Sequence, residues 1–188
     1  MKRQVRLAAF STGPVDLRRR SMALVLAVAR APDYLEAIAV SEVAVDGEDS
    51  TDRMIELLGM VPQADQVHAA FTNATTMAGF NVIDTARFSA ETGVPLISMV
   101  RDAPDMASLR TALEARFGEA GGGRFAMLSA REWTEVDGPY LTWAGAERDE
   151  ALGLYRISLL RGKAPEVLRI AHMVATAIET GVSGGRVV

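Results

Sequence analysis

From Val5 to Phe10 the chain is apolar, and the run stops at Ser11-Thr12-Gly13-Pro14, a strong turn signal. Met22 to Ala29 is a second apolar stretch, punctuated by Ala31-Pro32-Asp33. Tyr34 to Val45 is a third, with Leu35, Ala37, Ala39, Val43 and Val45 largely alternating with more polar positions. Short connections between these three predicted strands favour an antiparallel meander.

The pattern then changes period. Asp49-Ser50-Thr51 reads as a helix start, followed by Met54, Ile55, Leu57 and Leu58 at helical spacing and by Gly59 and Pro62 as stop signals. Gln66 to Thr72 is a fourth strand. Asn81 to Thr92 is a predicted helix closed by Gly93, and Val94 to Val100 a fifth strand. Asp105 to Phe117 carries Met106, Leu109, Leu113 and Phe117 three to four apart, the spacing of a helix face. Gly118 to Gly123 reads as a flexible loop, and 125–136 fits no single pattern. Tyr140 to Ala144 is a short strand. Glu147 to Leu160 and Pro165 to Thr180 are predicted helices, with Pro165 well placed at the start of the last. The order β-β-β-α-β-α-β-α, then mostly helix, predicts an α/β mixed sheet flanked by helices. It is the element order of the ribonuclease H-like fold, expected here as a single domain over residues 1–188.

Composition narrows the classes. The chain has 188 residues, 49% of them hydrophobic and 23% charged, which suits a globular protein. With no cysteine, a disulfide framework, a thiolate metal site and a cysteine nucleophile are all excluded. No window holds the ~18 uninterrupted apolar residues that a membrane span needs. The apolar run behind the basic amino terminus is short for a signal peptide, so a cytoplasmic protein is expected. A net charge of −4 gives no general attraction to nucleic acid. However, the basic residues are arginines except Lys2 and Lys163, and the planar guanidinium suits phosphate as well as a solvated surface.

Three segments carry a more specific resemblance. Val45-Asp46-Gly47-Glu48-Asp49-Ser50-Thr51 resembles a Val-Asp-Gly-x-Asp-Ala-Thr motif. Ala78-Gly79-Phe80-Asn81-Val82-Ile83-Asp84, with Thr92-Gly93-Val94-Pro95-Leu96-Ile97 and Pro104-Asp105 behind it, resembles a second block. Pro165 to His172, followed by Ser183-Gly184-Gly185-Arg186, resembles a third. Together they resemble the archaeal endonuclease dU family, which is similar to endonuclease V and shares its ribonuclease H-like fold. The resemblance implies a metal-dependent nuclease acting on DNA with deaminated bases, in DNA repair. Carboxylates would hold one or two Mg²⁺ for phosphodiester hydrolysis. A damaged base would be selected by flipping it into a pocket.

The chain departs from that pattern where ligands are needed. The family's first strand typically ends in Asp-Asp-Gly-Pro; here the residues are Ser11-Thr12-Gly13-Pro14. Its fourth strand typically ends in aspartate; here the position is Asn73, or Thr72 if the register slips by one. Neutral oxygens bring no charge to a cation that dehydrates reluctantly. What the resemblance leaves for a metal is Asp46, Asp49 and Asn73, with Asp49 and Asn73 also at the catalytic centre and Arg101 on the scissile phosphate. The residues themselves allow plainer roles: Asp49 and Thr51 as helix-cap residues, Asp46-Gly47 as a turn, Asp52 and Asp84 as surface charges, Arg101 as a solvated turn residue.

Other signals are weaker. Arg18, Arg19, Arg20 and Arg186 are candidate contacts to a phosphate backbone, and equally a solvated loop and tail. Gly181-Val182-Ser183-Gly184-Gly185 spells a hydrolase nucleophile elbow but lacks the strand–turn–helix setting. His68 and His172 have no partner at metal-ligand spacing and read as structural. Trp133, Tyr140 and Trp143 suit base stacking or a core edge alike. Three functions remain open: an endonuclease with an unusual metal site, its activity weakened or lost with the central carboxylates; a protein that binds nucleic acid, DNA ahead of RNA, without cutting it; and an interaction module on a degenerate nuclease fold, which predicts a homodimer through an exposed apolar face.

Overall fold

The computed structural model describes residues 5–184. Strands β1 (Arg6–Thr12), β2 (Ser21–Arg30) and β3 (Tyr34–Ala44) form the predicted antiparallel meander. Helix α1 (Ser50–Gly59) leads back to β4 (Val67–Thr72), which lies parallel to β1. A small hairpin, β5 (Thr76–Met77) and β6 (Asn81–Val82), precedes α2 (Thr85–Thr92) and β7 (Leu96–Val100). Then come α3 (Met106–Phe117), α4 (Gly121–Ser129), the short β8 (Thr134–Glu135), β9 (Tyr140–Ala144), α5 (Arg148–Ile157) and α6 (Glu166–Thr180).

The main sheet has seven strands in the order β3-β2-β1-β4-β7-β9-β8. Its centre is buried on both faces, so β2 reads as one continuous apolar run from Met22 to Ala29, as a doubly covered strand should. On one face Phe10, Leu24 and Leu26 pack with Met54 and Leu57 of α1 and Phe88 of α2. On the other, Leu7, Val25, Phe71 and Ile97 pack with Tyr155 of α5 and with Leu168, Ala171 and Ala175 of α6. A smaller cluster of Val82, Leu113 and Leu128 joins α3 and α4 to the hairpin. No helix among the described residues is long and apolar enough to cross a membrane.

The structure differs from the expected elements in two places. The helix expected from Asn81 begins at Thr85, because Asn81 and Val82 pair with Met77 and Thr76 and Asp84 caps the helix by accepting from Arg87 N. The expected loop 118–123 holds a 3₁₀ turn and the first residues of α4, and 125–136 divides into the rest of α4 and β8. Glycines disfavour a helix on propensity, but a Cβ on Gly121 would lie 2.7 Å from the Leu113 carbonyl carbon's oxygen. The close approach of α3 and α4 selects glycine there.

Candidate functional site at the carboxyl edge of the sheet

Parallel pairing of β4 with β1 and with β7 sets three carboxyl-terminal strand ends side by side. Open α/β sheets carry their ligands at this edge. The residues that arrive there are neutral. Thr72 and Ser98 face each other in register, and Thr72 Oγ1 lies 2.8 Å from both Ser98 Oγ and the Ala74 carbonyl oxygen. Asn73 is half-buried, and its side-chain amide has no hydrogen-bond partner among the described residues.

Ser11 is directed to the opposite face, where it is fully buried and its Oγ lies 3.1 Å from His172 Nδ1. Burial holds the His172 imidazole below its ordinary pKa, against a hydrogen bond with the Thr12 backbone that pulls the other way. A serine with no accessible surface cannot meet a substrate, so this pair docks α6 on β1 rather than presenting a nucleophile. The next residue but one tightens that dock. A Cβ on Gly13 would fall 2.8 Å from Glu179 Cγ and 2.9 Å from the Ala175 carbonyl oxygen. Glu179 in turn accepts from Ala23 N at 2.7 Å and pairs with Arg19. Thus Arg19 is engaged within the fold. Arg18 folds back on Asp16, whose carboxyl that hydrogen-bonded guanidinium holds at about 2, and Arg20 is exposed. Arg186 lies outside the described residues. Arg101 is exposed beyond β7, 3.9 Å from Asp102.

The two motif blocks that carry Asp46, Asp49 and the Gly-Phe-Asn run lie against each other. Asp46 takes a left-handed turn conformation, φ 54°, which aspartate tolerates. Its N–H donates to Ala78 O at 2.9 Å, and its Oδ1 accepts from Phe80 N at 2.8 Å. Gly79, at φ 91°, passes so close that a Cβ would fall 2.3 Å from Asp46 Oδ1. Asn81 is fully buried; its Nδ2 donates to Ala44 O at 2.9 Å and to Asp49 Oδ1 at 2.7 Å, and its Oδ1 accepts from Ser50 N at 3.0 Å. Ser50 Oγ donates to Val82 O, and Thr51 Oγ1 accepts from Asp84 N. Arginines complete both aspartates: Arg116 Nε is 2.7 Å from Asp46 Oδ2, and Arg53 Nε is 3.4 Å from Asp49 Oδ2. Arg124 donates to the Gly47 and Phe80 carbonyls. Asp52 and Asp84 sit on helix α1 and at the start of α2, where Asp52 pairs with Arg87.

These residues do not fit a Mg²⁺ centre. Such a cation is held by carboxylates and water in near-octahedral geometry. Here the strand ends supply hydroxyls and an amide, while Asp46 and Asp49 spend their lone pairs on backbone amides, Asn81 and arginines. Among the described residues no three His, Asp or Glu side chains are gathered as a metal-binding group. The structure brings Asp46 and Asp49 together with the Gly-Phe-Asn run, but leaves Asn73 at the strand edge with no hydrogen bond to either. Sequence reasoning missed Arg116, Arg124 and Ser98, whose partners are distant in the chain. The Gly47 and Gly79 positions were the available signal, since glycine beside a turn marks close approach.

Comparison with known proteins places this geometry in a lineage. The sequence profile described as endonuclease dU matches residues 3–179. A UPF0215 protein of Methanothermobacter thermautotrophicus is 32% identical over 194 residues, covering 98% of this chain and 93% of that protein. A solved structure of a protein of unknown function from Archaeoglobus fulgidus superposes with a TM-score of 0.83 at 30% identity, over 93% of this chain and 98% of that one. Endonuclease V of Ciona intestinalis, solved with a 24mer DNA containing an inosine followed by a ribo-adenosine, superposes at 0.56 with 8% identity, over 91% and 84% of the two chains. That last likeness is one of fold, and the fold is ribonuclease H-like. On the extent of the profile match and the identity to its relatives, the chain belongs to the endonuclease dU family.

Proposed function

We propose that this protein binds nucleic acid, DNA ahead of RNA, at the carboxyl edge of its sheet, with Mg²⁺-dependent hydrolysis weakened or lost. The observation that carries the reading is the exchange of strand-end carboxylates for Ser11, Thr12 and Asn73, while Asp46 and Asp49 are committed to hydrogen bonds within the fold. Family membership supports a substrate of the deaminated-DNA class, and the inosine-containing DNA held by the Ciona protein of like fold supports a nucleic-acid partner. The role is then one in DNA repair inside the cell, through recognition more than cleavage.

The arrangement suggests how recognition works. The edge is uncharged, so it does not repel a phosphate as a bare carboxylate pair would. Asn73 offers a free amide, able to donate to a phosphate or a base and to accept from a base. Arg101, exposed one strand over, supplies a bidentate donor for a backbone phosphate. A base already poorly paired leaves the stack at least cost, and that selects the deaminated site.

The test pairs binding with cleavage, on single-stranded and duplex DNA carrying uracil or hypoxanthine. It is run with Mg²⁺, Mn²⁺ or chelator, beside Asp49→Asn and Asn73→Ala variants checked for folding. Binding is expected to survive chelation, to weaken steeply with salt, and to fall in Asn73→Ala. Metal-dependent cleavage at a wild-type rate, abolished by Asp49→Asn in a folded protein, would overturn the reading.

A further inference from the structure

A cavity of about 680 Å³ opens beyond the end of β7, between the β8–β9 turn and the connection from α5 to α6. Its volume lies in the ~300–1,000 Å³ range of small-molecule sites. Arg101, Arg161, Lys163 and Arg169 line it, against Asp102 as the single lining carboxylate. Met99 and Pro139 give it an apolar floor and wall. In a chain of net charge −4, four cations around one concavity are a segregation of charge.

The backbone that carries Arg161, Lys163 and Arg169 is held in place by the fold. The connection carrying Arg161 and Lys163 is pinned at both ends, by the Leu159–Pro165 bridge and by Glu166 N donating to Ser158 O at 2.9 Å. Tyr155 Oη donates to the Lys163 carbonyl at 2.6 Å. Gly138, at φ 120°, lets the Lys163 ammonium lie on the turn, since a Cβ there would fall 2.4 Å from Nζ. Arg169 is braced by Glu166 through its Nε at 2.9 Å. Arg161 and Lys163 have no carboxylate within ion-pair distance among the described residues, and Arg101 has only the loose, exposed contact to Asp102 at 3.9 Å. Arg161 and Lys163 on the braced connection, and Arg101 facing them across the cavity, are therefore little compensated within the fold.

We propose that this cavity, which continues the carboxyl edge past the end of β7 and shares Arg101 with it, is a nucleotide-phosphate site. Arg161 and Lys163 grip the phosphate, Arg101 and Arg169 flank it, and the apolar wall receives the sugar or base. The phosphate comes either from a free mononucleotide or from one residue of a strand; only the second source rests on the function proposed above.

Two probes separate the sources in the full chain. Titration calorimetry compares 5′-thymidine monophosphate with thymidine. Fluorescence anisotropy measures a 5′-phosphorylated oligo(dT) over a salt series. Both are repeated in the Arg161→Gln/Lys163→Gln variant and in Arg148→Gln, an exposed charge control on α5. All three exchanged residues are exposed, and thermal unfolding checks that each variant is folded. The monophosphate is expected to bind and thymidine not to, with at least a tenfold loss in the double variant and none in Arg148→Gln. For the oligonucleotide, the double variant should lose about 0.7 from the salt slope, the share of the one phosphate that both residues grip on a single strand. Monophosphate binding without oligonucleotide binding supports the cavity and counts against the strand reading. An oligonucleotide effect alone assigns the cavity to a strand phosphate. If the double variant matches wild type with both probes, the proposal is wrong.

Discussion

Asn81 shows what single residues do in this protein. It has no exposed surface, and its one amide bridges β3, the α1 start and Asp49. Asn81→Ala leaves buried partners unpaired, which costs about 2–3 kcal/mol and lowers the thermal midpoint by roughly 5–10 °C for a chain of this size. An unchanged midpoint in a melting experiment would mean that the two motif blocks do not hold each other. His172 makes a second residue-scale statement. Burial lowers its pKa from the ordinary 6.5, so the unfolded chain takes a proton at higher pH than the folded one. The stability that the neutral imidazole contributes is therefore present above that value and is lost as pH falls through it toward the folded pKa. Melting curves from pH 7.5 down to 5 should slope less in His172→Gln than in wild type; equal slopes would remove His172 as their source.

Among the elements, α3 and α4 stand apart from the doubly covered sheet. α3 fully buries only Leu113, and its pair with α4 rests on a small cluster beside Phe80 and Phe117, which meet edge to face at 6.1 Å. Arg124 stacks on Phe117 at 4.2 Å while donating to the motif turn, and Arg116 reaches Asp46 from the last turn of α3. Few buried apolar contacts make for low local stability. Hydrogen exchange should therefore open α3 and α4 well before β1 and β2, and Arg124→Ala should widen the gap. Exchange of all these elements in one cooperative step would contradict that division. The sequence pattern marked α3 correctly by the spacing of Leu109, Leu113 and Phe117, but it assigned the glycines before α4 to a loop. Helix propensity is local, whereas Gly121 answers to a backbone of α3 across the turn.

At the scale of the whole molecule, charge is sorted by place rather than by sum. The strand ends β4 and β7 carry neutral hydroxyls and an amide, Asp46 and Asp49 are paired with arginines, and lightly compensated cations collect around the cavity past β7. If missing charge is what keeps the edge from holding a cation, restoring it should restore binding. In Thr12→Asp/Asn73→Asp, millimolar Mg²⁺ is expected to raise the thermal midpoint by ~2–4 °C, the ~1 kcal/mol that a ligand several-fold above its Kd adds. Wild type should show no such rise. A Mg²⁺ shift of equal size in both would mean that the native donors already suffice.

The order and type of the main elements were set by local information. A continuous apolar run makes β2 a strand buried on both faces, shorter apolar runs mark β1 and β4, and helical spacing with caps such as Asp105 and Gly93 bounds the helices. The motif blocks, and the loss of carboxylates at Ser11, Thr12 and Asn73, were legible in the same way, because they are statements about residue identity. What each polar residue does was decided only in three dimensions. Asp49 was open between cap and ligand in sequence; at the N-cap of α1 its side chain makes no cap bond and binds Ala44 N and Asn81 instead. His172 lies 161 positions from Ser11 and meets it only because α6 packs on β1. Likewise Arg161, Lys163 and Arg169 look like solvated charges until the α5–α6 connection closes beside Arg101. Periodicity reports which face of an element is buried, whereas a site is made of contacts between elements, and those depend on how the sheet brings distant strand ends to one edge.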